Sequence, residues 1–180
     1  MERSPLHHGI QGVGSRRGYS SHQYNPFVML AKHDTTEDSG WCWGACFVYS
    51  GNFQAEAEVS QANNTRLTMG IHDTQFDFLL EPGEYFTAPE VMMSFSSEGM
   101  GKLSRNYHKA IRQNVCRGKF KNARRPILIN NWEATYFGFD TDKLLEIARE
   151  AKKVGIEMLV MDDGWFGKRD DDNSGLGDWV

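Results

Sequence analysis

Two clusters in this chain combine residue types able to bind and orient a polar ligand. The first, Asn130-Asn131-Trp132-Glu133, follows the apolar run Ile127-Leu128-Ile129; the second, Asp162-Asp163-Gly164-Trp165, follows Ile156-Glu157-Met158-Leu159-Val160-Met161. Adjacent carboxylates at 162 and 163 supply acceptors for hydroxyl protons, and the indoles of Trp132 and Trp165 supply flat apolar walls with a polar edge. That combination suits a ring that is polar at its rim and apolar on its face, which is sugar recognition. Adjacent acids after a strand also occur as a solvated loop or a metal-binding pair, and a Trp in Trp132's position also occurs as core. Trp165, after Gly164, is equally suited to packing beneath its loop.

The elements that must position these clusters are legible around them. Ile127–Ile129 is a short β-branched run closed by two asparagines, which predicts a buried strand and its end. Asp140 or Thr141 offers a side-chain oxygen to cap a helix. Leu144, Ile147, Ala148, Ala151 and Val154 then recur at three- and four-residue spacing, with charged residues between them, so an amphipathic helix is predicted. Gly155 follows where a left-handed C-terminal cap belongs. Residues 156–161 form the second predicted strand. A strand-helix-strand crossover of this length makes the strands parallel, which puts Trp132 and the two aspartates on one sheet edge. In parallel α/β folds the carboxyl edge of the strands is where ligands bind.

Upstream the pattern changes to short runs rich in strand formers: 27–31, 41–49, 53–59, 66–71, 76–80 and 85–94. Turn-like breaks at Ser50-Gly51-Asn52, Ala62-Asn63-Asn64 and Glu81-Pro82-Gly83 separate them. Residues 54–59 alternate as a half-buried antiparallel strand should. The regular spacing predicts a β-sandwich. A helix over 103–115 is predicted, with Leu103, Tyr107, Ile111 and Val115 as its buried stripe. The run 117–125 reads as a basic, solvated connector. The expected organisation is therefore part of a β-sandwich over 1–98, a linking helix and connector over 99–124, and the start of a parallel α/β barrel over 125–180. Two parallel strands and one helix cannot close a barrel, which takes about eight such units, so a truncated segment is expected.

Composition narrows the classes. The chain has 180 residues and a formal net charge of −4, with no basic stripe, so nucleic acid is not an expected partner. No apolar run reaches the roughly 20 residues that cross a bilayer, so no membrane partner is expected either. The opening residues lack the apolar core of a secretory signal, and a cytoplasmic location is expected. Of the three cysteines, Cys42 and Cys46 share one predicted strand and stand roughly 13 Å apart, too far for a disulfide. Cys116 is able in principle to pair with one of them, although reduced thiols are expected. Neither the cysteines nor the six histidines show metal spacing. Asp170, Asp172 and Ser174 before Gly175 resemble part of a calcium loop, but no helix precedes them and no closing Glu follows. No metal and no cofactor are expected. Asn63-Asn64-Thr65 has the form of a glycosylation sequon and reads more simply as a turn.

Several blocks together are specific. The run 126–137, Asp162-Asp163-Gly164-Trp165-Phe166-Gly167 and Leu176-Gly177-Asp178-Trp179 resemble the bacterial α-galactosidases of glycoside hydrolase family thirty-six. Upstream, Ser15-Arg16-Arg17-Gly18, Ser20-Ser21-His22-Gln23, Asn25-Pro26-Phe27 and the run 48–53 are similar to that family's amino-terminal domain. The resemblance implies a large β-sandwich followed by a (β/α)8 TIM barrel, of which this chain carries the later part of the first and the opening of the second. It implies retaining hydrolysis of terminal α-D-galactosides such as melibiose and raffinose, in which one carboxylate attacks the anomeric carbon and another, about 5 Å away, protonates the leaving oxygen. Both catalytic aspartates, nucleophile and acid/base, would come from later barrel strands, after Val180. None is therefore expected among these residues, and the segment alone is expected to be inactive. Asp162 and Asp163 would accept hydrogen bonds from galactose O4 and O6, Trp132 would wall the same subsite, and Trp165 is a further candidate. Members of the family often form tetramers, so a homo-oligomer is expected of the complete protein.

Two other classes compete with this. A non-catalytic carbohydrate-binding sandwich would retain galactose affinity in residues 1–100 alone. A raffinose-synthase-like galactosyl transferase would share barrel and mechanism but pass galactose to a sugar acceptor instead of to water. A nicotinamide-dependent glycosidase is disfavoured because no GxGxxG follows a predicted strand.

Overall fold

The alternation of residues 54–59 is realised as the centre of an antiparallel sheet. In the computed structural model, which describes residues 3–179, β1 (Gly9–Ser15), β4 (Phe53–Val59) and β5 (Thr65–Ile71) pair in the order β1-β4-β5. Phe53, Ala55 and Ala57 turn inward while Gln54 and Glu56 turn toward solvent, as the two-residue strand period requires. The β4–β5 turn holds Asn63 at φ 59°, a left-handed conformation that Asn tolerates better than most residues. A second antiparallel sheet has the order β2-β3-β6, from β2 (Phe27–Ala31), β3 (Cys42–Phe47) and β6 (Val91–Ser96).

The strand β1 was not expected, and its composition explains why. It carries three glycines, which ordinarily weaken a strand. Here they permit close approach: a Cβ at Gly14 would lie 2.6 Å from the Phe53 carbonyl oxygen. Conversely, the strand expected over 76–80 is absent, and the one expected over 85–94 begins only at Val91. Pro82 and Pro89 interrupt that stretch, and proline cannot donate to a ladder. Its aromatics pair among themselves instead, with Phe78 and Phe86 ring centroids 4.8 Å apart.

The helix α1 (Gly99–Ala110) lies on the second sheet and continues as a π-helical turn over Ile111–Val115. It starts four residues before the expected Leu103. Its first amides donate to a distant loop: Gly99, Met100 and Gly101 reach the carbonyls of Gly40, Thr36 and Glu37. Leu103 and Tyr107 are buried with Cys42 in one cluster, Ile111 packs on its margin, and Val115 is exposed. Glycine at 44 makes this possible, since a Cβ there would stand 2.7 Å from the Tyr107 ring. The Tyr107 hydroxyl donates to the Met92 carbonyl, and burial raises its pKa to about 12. Cys42 and Cys46 are both thiols, with pKa values raised by burial.

Residues from Arg117 onward form a separate unit. The strands β7 (Leu128–Asn130) and β8 (Met158–Val160) pair in parallel, Asn130 opposite Val160. A short helix α2 (Trp132–Thr135), which the sequence did not suggest, follows β7 directly. The crossover helix α3 (Thr141–Lys153) is capped by Asp140, whose Oδ1 accepts the Lys143 amide at 2.9 Å. It ends as its sequence predicts: Gly155 takes φ +86° and the Ile156 amide returns to the Ala151 carbonyl. Leu144, Ile147, Ala148 and Ala151 make its covered face, whereas Val154 is exposed. In the basic connector, Arg124 pairs with Glu157, whose other oxygen accepts the Ile127 amide, so this arginine ties the starts of the two strands. Among the described residues no helix is long and apolar enough to cross a membrane.

Candidate functional site

Parallel pairing of β7 with β8 brings the two polar clusters to one edge. Each candidate side chain leaves its strand at an equivalent place, Trp132 two residues past Asn130 and Asp162 two residues past Val160. The two loops are then joined by the asparagines between strand and cluster. Asn130 accepts the Trp132 amide on Oδ1 at 2.8 Å and donates from Nδ2 to Asp162 Oδ2. Asn131 is fully buried. Its backbone amide donates to the Val160 carbonyl, its Oδ1 accepts the Asp162 amide at 2.8 Å, and its Nδ2 donates to Thr135 Oγ1 at 2.9 Å. A buried amide such as that of Asn131 is stable only when fully paired, and with the exposed Asn130 it ties the Asp162 loop to the end of β7.

The two aspartates are held differently. Asp162 Oδ1 accepts the Asp163 amide, and its other oxygen is engaged by Asn130. Asp163 is gripped by Arg169: Nε reaches both carboxylate oxygens, at 3.0 and 3.1 Å, and a terminal nitrogen reaches Oδ2 at 2.8 Å. The Arg169 guanidinium, with help from the Gly164 amide, holds the Asp163 carboxyl below its ordinary pKa, and the same pairing raises that of Arg169. Both aspartates are half-buried, so each combines a fixed orientation with access to a ligand.

The aromatic residues divide between wall and support. The Trp132 ring is half-buried and meets Phe137 edge-on at 4.9 Å and Tyr136 at 5.4 Å. Tyr136 sits at φ 47°, a conformation rarely adopted by a bulky residue and found where surrounding structure imposes it. Trp165 is 54% exposed, while its neighbour Phe166 is buried against Trp179. Phe166, then, is the residue packed beneath the loop, and the Trp165 indole is presented outward. The acidic run 170–172 does not assemble as a cation loop. Arg169 points into it, donating to the Asp171 and Ser174 carbonyls, and among the described residues no cluster of three His, Cys, Asp or Glu is placed to hold a metal ion. Val180, the position after which the catalytic carboxylates are expected, lies outside the described residues.

Three residues in this constellation have roles that the sequence did not assign: Asn130 and Asn131, read there only as part of the first cluster and the end of its strand, and Arg169. For the asparagines a signal existed, because two amides at the end of a buried strand must find partners once the neighbouring strand arrives. For Arg169 the surrounding acids were the signal, since a lone arginine among four nearby aspartates is the natural counter-charge.

Two family models cover the chain, and they meet upstream of the structural boundary between Cys116 and Arg117. Residues 1–81 match the model of the glycosyl hydrolase family 36 N-terminal domain, and residues 85–180 match the Melibiase model. The chain belongs to glycosyl hydrolase family 36. It is similar to the family's α-galactosidases: 57% identical over 179 residues to the bifunctional α-galactosidase/sucrose kinase AgaSK of Mediterraneibacter gnavus, covering 99% of this chain and 19% of that protein. It is 52% identical to the α-galactosidase AgaA of Geobacillus stearothermophilus, covering 100% of this chain and 25% of the relative. A crystal structure of a substituted AgaA in complex with raffinose superposes with a TM-score of 0.92 at 51% identity, covering 99% of this chain and 25% of that one. The chain therefore spans about a quarter or less of the length of these family 36 relatives. It comprises part of the family's N-terminal β domain and the beginning of its melibiase domain.

Proposed function

We propose that this segment belongs to an α-galactosidase that hydrolyses terminal α-D-galactosyl residues of raffinose-type oligosaccharides with retention of configuration, and that Asp162, Asp163, Trp132 and Trp165 line its galactosyl subsite. The domains would be a partial β-sandwich over 1–98, a linking helix and connector over 99–124, and the opening of a (β/α)8 barrel over 125–180. The observation that supports this reading is the shared edge: the segments that carry two pre-oriented carboxylates and an indole leave β7 and β8 at the same end and are joined by Asn130 and Asn131. Exposed apolar residues along the same unit, Ile127, Leu128, Met158 and Met161, fit a sheet that further strands and helices would cover.

The chemistry follows from the site. Galactose differs from glucose in its axial O4, which lies toward the side of O6. Hydrogen bonds to a charged acceptor contribute roughly 1.5–3 kcal/mol each, so a carboxylate pair at that corner favours the axial epimer. An equatorial O4 leaves one carboxylate poorly paired in a partly dry pocket. The indole face of Trp132 covers the apolar face of the ring. These residues bind and orient; attack at the anomeric carbon and protonation of the leaving oxygen belong to two carboxylates supplied by later strands of the complete protein, after Val180.

The test is to incubate the complete protein with melibiose and sucrose and to measure free galactose against trisaccharide. Free galactose as the main product supports hydrolysis. Trisaccharide as the main product would show a galactosyl transferase, and neither product would overturn the reading.

A further inference from the structure

We propose that Arg169 is a positioning residue for the galactoside site, fixing the Asp163 carboxylate in the orientation that receives the sugar; the inference rests on the reading of Asp163 given above. The side chain of Arg169 is only 5% exposed, and a charge so enclosed is stable only when its donors are used. All three nitrogens are used. Nε and one terminal nitrogen take the two oxygens of Asp163, and the other terminal nitrogen takes the carbonyls of Asp171 and Ser174 at 2.5 and 2.7 Å. Asp172 lies at 3.7 Å as a looser counter-charge.

The arrangement leaves Asp163 little freedom before any ligand arrives. Its Oδ1 accepts the Gly164 amide and Arg169 Nε, and its Oδ2 accepts Arg169 from two nitrogens. The single Nε–H is shared between the two oxygens, so three donors occupy about three of the carboxylate's roughly four acceptor positions, and the remaining one is directed away from the guanidinium. The same guanidinium lies 5.5 Å from the Phe137 ring centroid, and Phe137 meets Trp132 edge-on at 4.9 Å. One cation thus braces both the acid and the aromatic wall. Lysine cannot reproduce this, because it offers a point charge where the site uses a planar fork.

The test uses the complete protein and four variants: D163N, R169K, R169M and the double variant D163N/R169M. Michaelis parameters are measured on an aryl α-galactoside, with thermal melting as a folding control. R169K is expected to raise KM about tenfold and R169M about 100-fold, as charge-assisted bonds to Asp163 are lost, with kcat falling less than KM rises. The double variant is expected to be no worse than D163N, because Arg169 acts through Asp163. R169K and R169M with wild-type KM beside an impaired D163N would overturn the inference and leave the site reading standing. Losses that add in the double variant would also overturn it, showing that Arg169 acts apart from Asp163. D163N with wild-type KM would instead overturn the site reading itself. Should R169M not fold, the cycle built on R169K and D163N/R169K decides by the same criteria.

Discussion

Replacing Asn131 by alanine in the complete protein should damage the galactoside site without touching a candidate sugar-binding side chain. Asn131 is 0% exposed, and its side chain makes two hydrogen bonds, to the Asp162 amide and to Thr135 Oγ1. Each is worth about 1 kcal/mol net. The two losses are not equivalent. Thr135 still donates its hydroxyl to the Asn131 carbonyl, whereas the Asp162 amide is left half-buried, which adds about 1 kcal/mol or more. The sum is about 3 kcal/mol, concentrated at the joint between the two loops. Thr135→Val is the control, since it removes the same hydroxyl partner and leaves the Asp162 amide bonded. Both variants should lower resistance to urea, but only Asn131→Ala should raise KM for an aryl α-galactoside, by about tenfold. An unchanged KM in Asn131→Ala, or an equal rise in Thr135→Val, would refute the view that Asn131 aims Asp162.

Three further outcomes follow from the structure. Asp140→Ala removes the cap of α3 and costs about 1 kcal/mol, so amide hydrogen exchange over 141–153 should quicken roughly fivefold. Gly44→Ala places a methyl group against the Tyr107 ring; repacking costs about 1–3 kcal/mol and should quicken exchange in α1, whereas unchanged exchange would show that the helix shifts freely. Asp163 has its pKa lowered below 3.8 by Arg169, so its ionised form, and the stability and binding it contributes, is present above that ordinary value and lost only as pH falls through the depressed one. Titration calorimetry with galactose between about pH 4 and 6 should therefore show no loss attributable to Asp163, while in R169M the loss should set in at higher pH.

What the sequence revealed depended on whether the physics was local. The alternation in β4, the stripe of α3, its Asp140 cap and its Gly155 terminus are all written within a few residues, and each stands where expected except Val154, the last residue of the stripe, which is exposed. The shared edge of Trp132 and Asp162 followed from crossover length alone. Failures came where distant chain decides. β1 is a strand because Gly12 and Gly14 let β4 approach, which glycine content by itself argues against. The first turn of α1 is satisfied by carbonyls at 36–40, some sixty residues earlier in the chain. The aromatic stretch around Phe78 looked like a strand by residue type, but its prolines deny it partners. Arg169 is hydrophilic by type and buried in fact, a fate fixed only when its loop folds back over Asp163.

Whether these two carboxylates hold the sugar is tested most simply by the galactose affinity of the complete protein carrying Asp162→Asn or Asp163→Asn, set against glucose as the competing epimer. Each substitution keeps the shape of the side chain and removes its charge. Galactose affinity should fall by about tenfold or more for each, with the preference over glucose reduced. Wild-type affinity and preference in both variants would mean that the two carboxylates at the ends of these strands do not hold the sugar.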